Sequence, residues 1–88
     1  MSDKHWRKAM HTKRTVWEYC ETYKIPVDDE PRSYVIGYIV NKRNKRRCRD
    51  WLVYAYPYTV GGTYLGLLTD LSASQAKQTA QLLIGAQK

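Results

Sequence analysis

Six cations in eight positions make Lys42-Arg43-Asn44-Lys45-Arg46-Arg47-Cys48-Arg49 the strongest chemical signal in the chain. Like charges this close repel one another until an anion neutralises them, so Lys42, Arg43, Lys45, Arg46, Arg47 and Arg49 form a candidate nucleic-acid-binding set. Arginine predominates, and its planar fork matches phosphate oxygens better than an ammonium does. A solubilising or edge-protecting loop is the alternative use of the same charges.

Other reactive residue types are not arranged to use their chemistry. Asp28, Asp29 and Glu30 are adjacent, and adjacent carboxylates rarely converge on one ion, so a solvated loop is the better reading. Cys20 and Cys48 stand alone, which is no zinc spacing, and His5 and His11 miss the i, i+4 offset that puts two ligands on one helical face. No Ser or Cys is recognisably paired with a base, and no glycine-rich loop opens a helix. A non-enzymatic protein with no metal site and no cofactor is therefore expected, its two thiols reduced and idle.

The elements that must position the basic run follow from periodicity. Thr15-Val-Trp-Glu18 reads as a capping box, and Val16, Trp17, Cys20 and Tyr23 then share one helical face, which predicts a helix over 16–24 ended by Pro26. Segments 32–40, 51–56 and 64–69 are β-branched and aromatic and predict three strands. The basic run thus falls at the tip between the first two, and Gly61-Gly62 turns the second into the third. Ser72-Ala-Ser-Gln75 is another capping box, and Ala76, Ala80, Leu83 and Ile84 continue a helix that Gly85 is placed to stop.

The expected fold class is therefore α+β: a single small α-β-β-β-α domain with a three-stranded antiparallel sheet covered by helices on one face, spanning 15–88. Residues 1–14, with five basic and one acidic side chain, read as a basic N-terminal arm. Eleven Tyr and Trp with no Phe suit a half-wet surface. A two-residue glycine turn would place Tyr54, Tyr56 and Tyr58 with Leu65 and Leu67 on one sheet face, and Trp51, Val53 and Ala55 with Tyr64 and Leu68 on the other. Both faces are apolar enough for a core, and one left open would be a stacking platform for bases or a partner surface.

The net charge of +7 favours phosphate-rich partners. No apolar run is long enough to span a bilayer and the start is polar, so a cytoplasmic chain without membrane association is expected.

Placed on these elements, several short motifs resemble the double-stranded RNA-binding domain family. They are Trp17-Glu18-Tyr19-Cys20 with Lys24-Ile25-Pro26, then Arg49 to Ala55, then Gly62 to Gly66 followed by Ser72 and Ala76 to Ala80; together they span about 15–84. The resemblance implies a minor-groove contact by Glu18 and a phosphate contact by Lys77. The chain departs from the family where Ala73 and Ser74 replace helix-two lysines, and where the basic run replaces the Gly-Pro-x-His loop. The arm-binding domain of phage-type integrases is similar in outline. Two functional readings result: a small protein binding duplex RNA or DNA through its basic hairpin, or a protein-interaction or inhibitory accessory protein of a phage or mobile element acting through its Tyr/Trp-rich sheet.

Overall fold

The computed structural model describes residues 5–9, 13–23, 30–43, 45, 47–56 and 62–86. Five strands and one helix run in the order β1 (Trp6–Lys8), β2 (Val16–Tyr23), β3 (Arg32–Asn41), β4 (Trp51–Ala55), β5 (Thr63–Leu68) and α1 (Ala73–Gly85). The strands form one antiparallel sheet in sequence order, each paired with the next. The expected three-stranded, two-helix domain is thus corrected: among the described residues the sheet has five strands, and one helix, at the C-terminal end, lies on it. The α-β-β-β-α order implied by the resemblance to double-stranded RNA-binding domains is not the order of these elements.

The first helix fails for a local reason. Residues 16–23 read Val-Trp-Glu-Tyr-Cys-Glu-Thr-Tyr, rich in β-branched and aromatic residues that lose rotamer freedom in a helix and pack well on a pleated surface. As β2 they alternate: Trp17 and Tyr19 pack toward the helix side, while Val16 joins Tyr38 and Val40 on the other face. Both faces of β2 are partly covered, so its apolar residues do not alternate cleanly in sequence. Thr15 caps no helix; its carbonyl accepts from the Asn41 amide at 3.0 Å.

The basic N-terminal segment supplies β1. Trp6 lies opposite Tyr19, with ring centroids 5.1 Å apart, and is buried with the helix-side core.

That core joins Trp6, Tyr19, Ile39, Trp51 and Val53 of the sheet to Ala76, Ala80 and Ile84 of α1. The small Ala76 and Ala80 let the helix approach the sheet closely, and Ile84 fills the position over Gly37. An added Cβ at Gly37 would come within 2.6 Å of the Ile84 side chain, so only glycine fits beneath it. At the other end the expected capping box is present: Ser72 Oγ accepts from the Gln75 amide at 3.2 Å, and Gln75 Oε1 accepts from the Ser72 amide at 3.0 Å. Gly85 is the last helical residue rather than the residue beyond the end, and Ala86 is the C-cap.

One register expectation is corrected. The β4–β5 ladder shifts between Val53 and Tyr54, pairing Val53 with Gly66 and Tyr54 with Tyr64, so Leu65 is the extra residue of a bulge. Tyr64 consequently shares the face of Tyr54, Leu52 and Leu67, whereas Leu65 packs toward the helix-side core. Gly62 has φ +57°, as the glycine turn requires; Gly61, Pro57 and Tyr58 lie outside the described residues.

Candidate nucleic-acid interface

The basic run occupies the connection from β3 to β4, as expected for a hairpin tip. Lys42, Arg43, Lys45, Arg47 and Arg49 are all exposed, and Arg46 and Asn44 lie outside the described residues. Among the described residues, no carboxylate forms an ion pair with Lys42, Arg43, Lys45 or Arg47. Arg49 differs: its Nε donates to Asp70 Oδ1 at 3.1 Å, although both side chains remain largely in solvent.

The loop is not a loose tether. Asn41, 4% exposed, holds it from inside. Its Oδ1 accepts from the amides of Arg43 at 3.2 Å and Lys45 at 3.3 Å, and its Nδ2 donates to the Cys48 carbonyl at 3.1 Å. The first of these closes an Asx-type turn, the local geometry that asparagine side chains favour. The Cys48 amide donates to the Lys45 carbonyl, and the Lys42 amide to the Asp50 carbonyl, both at 3.0 Å. Arg14 reaches across from the chain preceding β2 and donates to the carbonyls of Asn41 and Lys42, each at 3.3 Å.

The base of the loop is tied to the start of α1. The Leu71 amide donates to the Arg49 carbonyl at 2.8 Å, Trp51 Nε1 donates to the Leu71 carbonyl at 3.1 Å, and the Asp70 amide donates to Asp50 Oδ1 at 3.2 Å. Asp70 sits at φ 58°, which turns the chain from β5 into the helix. Between this junction and the loop lies a cleft of about 460 Å³, lined among others by Trp17, Asn41, Lys45, Arg49, Trp51 and Ser72. Lys45 and Arg49 of the loop therefore share the lining of this cleft with two indoles.

The two site residues implied by family resemblance fall elsewhere. Glu18 lies on β2 and pairs with Arg7 of β1 at 3.4 Å, its side chain only 12% exposed. Glu18 thus stands on a strand and not on the helix that the resemblance implied for it. Lys77 is buried on α1, with its ammonium 3.6 Å from the centroid of the Trp17 ring. Its charge is thus committed to a cation–π contact beneath the helix rather than displayed on the surface. Neither residue joins the cationic loop.

Asn41 and Arg14 are the site residues that sequence reasoning missed. The signal available was an Asn one position before the basic run, where Asx turns begin. Among the described residues, no group of His, Cys, Asp or Glu could hold a metal ion, and both cysteines are free. No described helix is long and apolar enough to cross a membrane. No family model matches the chain, nor does any curated protein or any solved structure.

Proposed function

We propose that the protein binds nucleic acid without catalysing a reaction on it, using the β3–β4 loop to contact the phosphate backbone. The observation that carries this reading is the combination of exposed cations without acidic partners among the described residues and a loop backbone fixed at both ends. Holding like charges together costs free energy, and the three bonds to Asn41, with Arg14 adding a further cation beside them, keep them together nonetheless. Such an arrangement is suited to a polyanion, whose binding releases condensed counterions. Because the loop backbone is held at Arg43, Lys45 and Cys48, less conformational entropy is lost on binding than a free arm would lose.

Binding of labelled duplex RNA, duplex DNA and single strands across a salt series tests the proposal. Arg43→Ala, Arg46→Ala and Arg47→Ala together should weaken binding and flatten the slope of log affinity against log salt by about 2 to 3, at roughly 0.7 to 0.9 per lost phosphate contact. Absence of binding to every probe at low salt refutes the function. An unchanged slope in the triple variant refutes the site.

A further inference from the structure

The sheet face opposite α1 carries a row of tyrosines that the phosphate-binding loop does not use. Tyr38 and Tyr54 stack with centroids 4.8 Å apart and planes 10° from parallel, and Tyr54 meets Tyr64 edge to face at 5.6 Å. The row runs from core to solvent. Tyr38 is buried, with Gly62 so close that an added Cβ would lie 2.5 Å from its hydroxyl, whereas Tyr64 is 55% exposed. Beside it the cross-strand pair Leu52 and Leu67 continues the apolar face toward the start of β4, where the basic loop joins, while Trp51 itself turns to the helix side.

Tyr56 adds an independent observation. Its backbone is left-handed at φ 71°, a conformation costly for an aromatic residue and free for glycine, yet the residue is 56% exposed.

The charge distribution selects among occupants. A second copy of this chain would bring another +7 and another basic loop against the first. Nucleic acid offers phosphates for the loop and flat rings for the tyrosines, but its bases present their faces only when unpaired, because in a duplex they are stacked on one another. From Arg49 to Tyr54 along β4 is roughly 17 Å at ~3.3 Å per residue, a span suited to several nucleotides.

We propose that the β4–β5 face binds unpaired bases, with Tyr64 as a stacking ring, Tyr56, exposed just beyond the end of β4, as a second, and the basic loop holding the adjoining phosphates, so that the nucleic acid bound is single-stranded. This rests on the phosphate-binding reading of the loop and adds the substrate class to it. Binding to the rings is insensitive to sequence, since every base has a face to stack.

The test uses the full chain with a labelled oligothymidylate and an oligouridylate of about twenty nucleotides and a duplex of the same length, the upper part of the range such surfaces cover. Both single strands bind at least about tenfold more tightly than duplex at physiological salt. Tyr64→Ala and Tyr56→Gly each weaken single-strand binding by roughly 5- to 150-fold, the loss expected for one stacked base, and leave the salt slope unchanged because no phosphate contact is removed. Tyr56→Gly melts no lower than the wild type, which separates its effect from misfolding. If duplex binds as well as single strands while the arginine variants still weaken binding, the base-stacking proposal is overturned and the loop reading stands. Indifference of single-strand binding to both tyrosine variants overturns it equally. A concentration-dependent dimer abolished by Tyr64→Ala assigns the face to a second copy and overturns it too, and a stable complex with a protein through this face, insensitive to nuclease, does the same. Failure of every nucleic acid to bind removes both proposals at once.

Discussion

Asn41→Ala isolates the device that holds the cationic loop. The side chain is 4% exposed and makes three hydrogen bonds, two accepted from the amides of Arg43 and Lys45 and one donated to the Cys48 carbonyl. A bond of this kind contributes about 0.5–1.5 kcal/mol net. The two amides belong to exposed residues and can turn to water, which places them at the low end; the Cys48 carbonyl belongs to a half-buried residue and loses more. The sum is about 2–3 kcal/mol, which for a domain of this size lowers the melting temperature by roughly 10–20 °C. Binding changes in a separable way. Every cation remains, so the salt slope should persist, but a loop released from Asn41 must be ordered on the ligand, and affinity should fall about fivefold to tenfold. Calorimetry reads the first effect, a salt titration the second, and hydrogen exchange at the Arg43 and Lys45 amides the cause, protected in the wild type and fast in the variant. Melting unchanged, with those amides exchanging equally in both proteins, would show that Asn41 does not hold the loop and would remove the preordering argument.

Other substitutions probe the scaffold. Gly37→Ala drives a methyl into Ile84 and should cost about 1–3 kcal/mol in urea unfolding; in an Ile84→Ala background the same change should cost distinctly less, because the clashing atoms are gone. Ser72→Ala removes one arm of the capping box and should lower stability by about 1 kcal/mol without altering the salt slope of binding. Trp6→Ala should cost about 3–5 kcal/mol by emptying a buried edge position. Deletion of residues 2–14 removes Trp6 as well, so any binding it loses should track lost folding, measurable by circular dichroism, rather than lost charge alone.

The β3–β4 and β4–β5 hairpins and the C-terminal helix were legible because their signals are local and unshared. Asp and Asn do not interrupt the Tyr34–Val40 run, glycine turns follow β4, and Ser72 with Gln75 has no competing use. The N-terminal half was not legible for the converse reason. Thr15 with Glu18 and the offsets of Val16, Trp17, Cys20 and Tyr23 satisfy a helix template, but the same residues have β-forming side chains and become a strand once β1 and β3 flank them. Periodicity does not decide between the two when both faces of a strand are partly covered. The tertiary pairing decides, and it includes a three-residue edge strand too short to announce itself.

The site divided along the same line. Charge density located the cations, since six basic side chains in eight positions need no register to be noticed. What holds them needed the fold: Asn41 acts only because β3 ends there with the side chain turned inward, and Arg14 only because the chain before β2 runs beside that end. The tyrosine face required still more, because the bulge at Leu65 moves Tyr64 from the side of Trp51 to the side of Tyr54. A uniform ladder over the same residues would have put Tyr64 on the face of Trp51 and left only Tyr38 and Tyr54 stacked. The extra residue in β5 therefore decides on which face Tyr64 stands, and deleting Leu65 leaves Val53 opposite Gly66 and Tyr54 opposite Tyr64 in a regular ladder, so the row and its preference for single strands should persist while stability falls by the packing that Leu65 loses.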